Sequence, residues 1–172
     1  MARSITVGTI EDIILQGMLH GHVLRSPVAA GTLVRINTPK LTSAYTLITA
    51  QDIPGSLFLN NLSPPIPVLA ASQIHYIGEP VGLLVGPDRN KLEELASETE
   101  VIVEETEAYF DTAIFGSDRI LAKKTVQNKN IDAIFKKNTF ALEAVYNTVF
   151  QEHWYPECHG AVASYSYDKM LI

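Results

Sequence analysis

The densest group of side chains able to do chemistry lies between Gln151 and Gly160. It contains two carboxylates, two imidazoles and the one thiol of the chain: Glu152, His153, Glu157, Cys158 and His159. These are zinc-ligand types, and Glu152 could serve as the base of a zinc hydrolase. The spacing matches no helical H-E-x-x-H pattern, and Pro156 disfavours an uninterrupted helix. The pattern therefore favours a structural turn, and a zinc enzyme built on His153, Cys158 and His159 stays open as an alternative.

The remaining histidines and the first acidic pair give weaker candidates. His20, His22 and His75 fall on predicted strands, without an acidic partner at local spacing. We therefore expect satisfied or half-exposed histidines rather than general bases. Glu11 and Asp12 are adjacent charges and indicate a solvated lead-in.

Two further features could carry chemistry but are better explained as surface. The acidic run from Glu98 to Glu107 partly alternates with apolar residues and indicates an exposed face. Cys158 could be a reactive thiol beside His159. A nucleophile needs a base and a group that orients it, and the sequence shows no such set. The residues alone therefore assign no catalytic, cofactor-binding or metal-binding position.

Composition excludes several classes of protein. The chain has 172 residues, 47% hydrophobic and 19% charged, which is typical of a globular domain with a real core. Thirteen basic and nineteen acidic residues give a net charge of −6, without the basic stripe that nucleic acid requires. A single cysteine closes no internal disulfide, and no apolar run is long enough for a bilayer. We expect a cytoplasmic protein with no membrane or nucleic-acid partner.

The pattern of apolar residues predicts strands and one good helix. The helix is predicted over 88–99, with a capping box on Asn90 and Glu93, and a shorter one over 40–44. The predicted strands cover 18–25, 32–37, 45–49, 73–77, 80–86, 101–105, 139–150 and 161–167. The apolar run in 80–86 indicates burial on both faces. A strand, the helix and another strand in sequence suggest a crossover between parallel strands.

Glycines in the middle of the chain are spaced by four but lie on apparent strands. Gly78, Gly82 and Gly86 match no phosphate-binding loop, so we expect packing or turn glycines.

Five segments, in order, carry a resemblance to a known family. They are LHGHVLRSP at 19–27, LITAQDIPG at 47–55, HYIGEPVGLLV at 75–85, VIVEE at 101–105 and FQEHWYPE at 150–157. Together they resemble the opening of the molybdenum-binding subunit in the xanthine dehydrogenase/aldehyde oxidase family. Two residues depart from that pattern: Glu79 stands where glutamine is frequent, and Val103 where tyrosine is common before Glu104.

The resemblance implies an α+β fold. An α/β-hammerhead domain of mixed strands and a few helices would cover 1–137, including the N-terminal lead-in. Residues 138–172 would hold the first strands of a truncated molybdopterin-binding domain. From Thr139 onward the chain would need that domain to cover it, so we expect part of this tail to be exposed, swapped to a neighbour or poorly ordered.

The resemblance also implies a function for the whole enzyme: oxidation of a purine, another N-heterocycle or an aldehyde with oxygen taken from water. Molybdopterin and molybdenum would serve it, with 2Fe-2S clusters and FAD on partner subunits or domains. The partners implied are the rest of the molybdenum subunit, iron–sulfur and flavin subunits, and a possible second copy. The family's reacting groups lie beyond the hammerhead region, so this segment is expected to bind no cofactor, to hold no catalytic residue and to be inactive alone. The alternative is a non-catalytic assembly or binding module that works by itself.

Overall fold

The computed structural model describes residues 8–59, 65–110, 123–126, 130–137, 140–155, 159–166 and 169–172. Two compact units divide the chain. A central unit comprises residues 14–110, and a terminal unit combines residues 1–13 with 111–172. Mixed small sheets and two helices make the fold α+β, as predicted.

The first sheet of the central unit contains three antiparallel strands. Their order is β1 (His20–Arg25), β7 (Pro80–Gly86) and β3 (Thr46–Ile48). Pro80 opens the central strand, where a missing N–H costs least. Leu84 lies between His22 and Leu47 on the flanking strands and is fully buried. The predicted two-sided burial of β7 is confirmed, because consecutive positions along it are buried.

The second sheet has the order β6 (Gln73–Ile74), β2 (Gly31–Asn37) and β8 (Glu100–Glu105), also antiparallel. Its register shifts between Leu33 and Arg35, which makes a bulge at Val34. Strict alternation would put Val34 and Ile36 on one face. The bulge instead lets Leu33 and Ile36 pack on the core while Val34 is 54% exposed. A two-stranded ribbon, β4 (Phe58–Leu59) with β5 (Ile66–Pro67), completes the strands of this unit.

The predicted main helix is present as α1 (Arg89–Glu98). Its cap is Asp88 rather than Asn90, since Asp88 accepts a hydrogen bond from the backbone N–H of Lys91 at 3.0 Å. Leu92 and Leu95 are the buried residues of the helix, which packs on β1 and β7.

One buried cluster forms the core of the central unit. It joins the first sheet, the helix and the segment before β7, and comprises Leu24, Ala70, Ile74, Val81, Leu84, Leu92 and Leu95. Leu33 and Ile36 of the second sheet pack against it. The two sheets and α1 thus share one core.

In the terminal unit, the described elements are few. A 3-10 helix covers Ile10–Asp12, α2 covers Ile131–Lys137, and β9 (Ser164–Ser166) pairs with β10 (Lys169–Leu171). Gly160 lies close to Ile10, because a Cβ on it would stand 2.9 Å from the Ile10 Cγ2 atom.

One predicted helix, one predicted crossover and one predicted strand are not formed by the described residues. Residues 40–44 form no helix, because so short a segment cannot nucleate one; a turn closed by Tyr45 N–H on the Thr42 carbonyl at 3.0 Å replaces it. The parallel crossover is absent: β7 already pairs on both sides, so β8 joins the other sheet. Residues 140–150 form no strand, since a strand needs a hydrogen-bonding neighbour and no described residue provides one.

The predicted exposure of the tail is confirmed for the residues that the structure describes. Seven large apolar side chains between residues 140 and 154 are 77% or more exposed: Phe140, Leu142, Val145, Tyr146, Val149, Phe150 and Trp154. These side chains cannot stabilise the unit as they stand, because their apolar area remains in water.

Candidate functional site

The most heavily bonded polar feature of the central unit is the end of β1, at Arg25 and Ser26. The Arg25 guanidinium donates a hydrogen bond from Nη1 to the Gly78 carbonyl at 2.8 Å. The Gly78 N–H donates a hydrogen bond to the Ser26 carbonyl at 2.9 Å. The Ser26 N–H in turn donates to the Glu79 carbonyl at 2.9 Å. We call this set of contacts the Arg25–Glu79 junction. Its three bonds hold the chain after β1 against the turn before β7.

The Ser26 side chain stabilises the bend that follows. Ser26 is 3% exposed, and its hydroxyl donates to the Val28 carbonyl at 2.8 Å while accepting the Val28 N–H at 3.2 Å. Pro27 between them has no N–H to satisfy. The R-S-P segment is therefore a structural bend, with the serine hydroxyl fully used by the backbone.

The other half of the junction is a tight turn over Tyr76–Glu79. The Glu79 N–H donates to the Tyr76 carbonyl at 3.2 Å, and Gly78 has a φ of +83°. A positive φ at the third residue is the requirement of a type II turn, and glycine meets it without strain. Gly78 is thus a turn glycine, as predicted, and its carbonyl is presented to Arg25.

Glu79 is a buried carboxylate that sequence reasoning missed. It is only 2% exposed. Its Oε2 accepts the backbone N–H of His75 at 2.6 Å, and its Oε1 lies 3.3 Å from Nδ1 of the same histidine. The prediction that His75 lacks an acidic partner nearby was wrong. The usable signal was the spacing of four residues across a glycine turn, which returns the chain on itself.

His75 and Glu79 differ sharply in environment. The His75 side chain is 65% exposed and that of Glu79 is 3% exposed. His75 also lies just beyond β6 rather than within the predicted strand. A buried carboxylate is tolerated only when it is hydrogen-bonded, and His75 supplies both of the bonds found among the described residues.

A groove runs between β1 and α1. Its volume is about 440 Å³, and its walls include residues 22–25 together with Glu93, Ser97 and Val101. His22 is among the residues that line it. The Glu93 carboxylate lies 3.6 Å from Arg89 Nε on the helix surface. The groove is open and of mixed charge.

Within the LITAQDIPG segment at 47–55, residues Ala50–Asp52 form a capped 3-10 helix. The Asp52 Oδ2 atom accepts the Thr49 backbone N–H at 2.7 Å and the Thr49 hydroxyl at 2.8 Å. These two hydrogen bonds hold the pKa of Asp52 below its ordinary value, and the bond from the Thr49 backbone has the larger effect. The lead-in repeats the arrangement, with Thr9 and Asp12 in the same roles. Asp12 is therefore a helix cap, not simply a solvated charge.

The predicted cluster at 151–160 is only partly described. The His153 backbone N–H donates to Glu152 Oε1 at 3.0 Å, and its ring stands edge-on to Tyr155 with 6.0 Å between ring centres. Pro156, Glu157 and Cys158 lie outside the described residues. Among those that are described, no three His, Cys, Asp or Glu side chains are grouped so as to hold a metal ion. Because Cys158 is not among those residues, the zinc alternative on His153, Cys158 and His159 stays a prediction, as does the reactive-thiol hypothesis for Cys158.

Within the described ranges, no helix has both the length and the apolar content to cross a membrane.

Comparisons with known proteins address the family. The family model described as aldehyde oxidase and xanthine dehydrogenase, a/b hammerhead domain, matches residues 9–107. A probable xanthine dehydrogenase subunit from Bacillus subtilis (strain 168) is 26% identical over 167 residues, which cover 90% of this chain and 22% of that protein. The xanthine dehydrogenase of Blastobotrys adeninivorans is 26% identical over 98 residues, covering 56% of this chain and 7% of that protein.

Solved structures agree on the fold. The reconstituted CO dehydrogenase from Oligotropha carboxidovorans superimposes with a TM-score of 0.55 at 24% identity, over 60% of this chain and 14% of that one. The aldehyde oxidoreductase from Desulfovibrio gigas gives 0.52 at 20% identity, over 62% and 13%. The chain spans less than a quarter of the length of each of these relatives.

The matched region includes the whole Arg25–Glu79 junction, both three-stranded sheets and α1. The chain belongs to the aldehyde oxidase and xanthine dehydrogenase family, and residues 9–107 are its a/b hammerhead domain.

Proposed function

We propose that the chain is the N-terminal part of the molybdenum-binding subunit of a xanthine dehydrogenase-type hydroxylase. The complete enzyme would oxidise a purine, another N-heterocycle or an aldehyde with oxygen from water. The observation that supports this most is the match to the hammerhead model over residues 9–107, extended by the 26% identity to a probable xanthine dehydrogenase subunit over 167 residues.

This segment acts as scaffold in that proposal. Its best-bonded polar feature, the Arg25–Glu79 junction, uses its donors and acceptors on its own backbone. The groove beside β1 is lined by Arg25 as well as by the Glu93 carboxylate, so its charge is mixed and it offers no distinct site for the cofactor's phosphate. We therefore assign the molybdenum cofactor to the remainder of the subunit, and the 2Fe-2S clusters and FAD to partner subunits or domains.

The proposed domain limits are 1–137 for the hammerhead domain with its lead-in and 138–172 for the start of the molybdopterin-binding domain. The exposed apolar side chains between Phe140 and Trp154 support a covering partner, because such a concentration of apolar area is unusual on a free surface. We propose that this partner is the remainder of the molybdenum subunit. We also propose that the enzyme is cytoplasmic.

The test combines metal analysis with turnover. The 172-residue chain would be purified alone and, separately, captured through an N-terminal affinity tag from its native cells. Both samples would be analysed for molybdenum by mass spectrometry. Both would also be assayed with xanthine and with an aromatic aldehyde, in ¹⁸O-labelled water with an artificial electron acceptor.

We expect no molybdenum and no turnover from the isolated chain. The natively captured material should contain molybdenum and form product labelled with ¹⁸O. Turnover by the isolated chain would refute the scaffold role. Native material without molybdenum, partners or turnover would refute the proposed enzyme and favour the stand-alone binding module.

A further inference from the structure

Glu79 and His75 pair a buried carboxyl group with an exposed ring, and the contact between their two side chains is not part of the Arg25–Glu79 junction. The Glu79 carboxyl group is almost wholly removed from water, so each oxygen needs a donor. Oε2 has one in the His75 backbone N–H, at the short distance of 2.6 Å. For Oε1, the hydrogen-bond partner among the described residues is the His75 ring, whose Nδ1 lies 3.3 Å away.

The position of the shared proton follows from these contacts. The pair can hold it on Nδ1, facing a carboxylate, or on Oε1, facing a bare Nδ1. The His75 backbone N–H already donates to Oε2, and an Nδ1–H group would supply a donor for Oε1 as well. An Nδ1–H ring would thus give both oxygens of the buried carboxyl group a donor from His75.

We propose that Glu79 fixes the His75 ring as the Nδ1–H tautomer and so makes Nε2 of this exposed ring a hydrogen-bond acceptor. The ring stands in water, with 65% of its side chain exposed, while the atom that orients it is buried. When a neutral imidazole donates through one nitrogen, the other must accept. Glu79 is a positioning residue in this arrangement.

The turn gives this acceptor a fixed place. His75 and Glu79 flank the turn at Gly78, whose carbonyl accepts the Arg25 guanidinium and whose N–H is bonded to Ser26. The ring is thus tied through Glu79 to the bend after β1, rather than free on a flexible loop.

The sharpest test is the tautomer itself. Two-bond ¹H–¹⁵N correlation spectra of the full chain would be recorded about two pH units above the ordinary imidazole pKa of about 6.5. We expect His75 to be mainly Nδ1–H in the native chain. His20 and His22, which have no carboxylate partner among the described residues, serve as internal controls.

The substitution Glu79→Gln provides the matched variant. A glutamine can accept the His75 backbone N–H through its carbonyl and donate from its amide to Nδ1, so the ring should switch to mainly Nε2–H while the turn remains. A native His75 that is mainly Nε2–H would overturn the proposal without any variant. So would a tautomer that is unchanged by Glu79→Gln in a folded chain. This outcome does not depend on the molybdenum proposal.

Discussion

Leu84 is the residue whose truncation should damage the fold most clearly. It is fully buried on β7, between two paired strands and under the helix, so the backbone around it cannot collapse to fill a cavity. Leu→Ala at buried sites costs about 3–5 kcal/mol, the larger values applying where the cavity persists. We expect Leu84→Ala to lie in that range.

The assay is urea unfolding of the full chain followed by far-ultraviolet circular dichroism. With a slope of about 2 kcal/mol per molar urea, a loss of about 4 kcal/mol lowers the unfolding midpoint by roughly 2 M. Because folded domains have only about 5–15 kcal/mol of stability, Leu84→Ala could leave too little to measure. Leu84→Met, which conserves volume, should cost less than about 1.5 kcal/mol, so its unfolding transition should remain measurable.

The matched control is Leu19→Ala. Leu19 is 59% exposed, so the same three atoms are removed with little loss of buried area. We expect a change within about 0.5 kcal/mol. If Leu84→Ala cost no more than Leu19→Ala, the assignment of β7 to the centre of the core would be wrong.

Three further outcomes follow from local contacts. Asp88→Ala should destabilise the chain by about 1 kcal/mol through loss of the helix cap, and Asp88→Asn should restore most of it, as urea unfolding can show. The pKa of Asp52 is lowered in the folded chain, so its contribution is present above pH 3.8 and is lost as pH falls through the folded pKa. Thr49→Val should raise that pKa only in part, since the backbone bond remains; NMR titration that finds no change would contradict this. Gly31→Ala should cost at least about 1–3 kcal/mol, because its Cβ would stand 2.5 Å from a carbonyl of the paired strand, whereas Gly55→Ala has open space and should be nearly neutral in thermal unfolding.

The family and the larger elements were predictable from local pattern. The alternation that predicted β1 and the unbroken apolar run of β7 depend only on which residues must leave water. The helix over 89–98 was equally clear, because Leu92 and Leu95 recur at helical spacing. The absence of an assigned catalytic, cofactor-binding or metal-binding residue stays a prediction, as does the domain boundary at 137/138.

Tertiary contacts decided the rest. The bulge at Val34 and the separation of β7 and β8 into different sheets depend on which strand edges are already paired, and no local pattern encodes that. The strand propensity of residues 140–150 was insufficient for the same reason, since a strand exists only with a neighbour. Glu79 shows it most sharply: its surroundings in sequence are those of a surface turn, yet chain reversal at Gly78 buries its carboxylate against His75. The sequence by itself determined which segments are apolar, while burial and pairing, which depend on residues distant along the chain, required the folded structure.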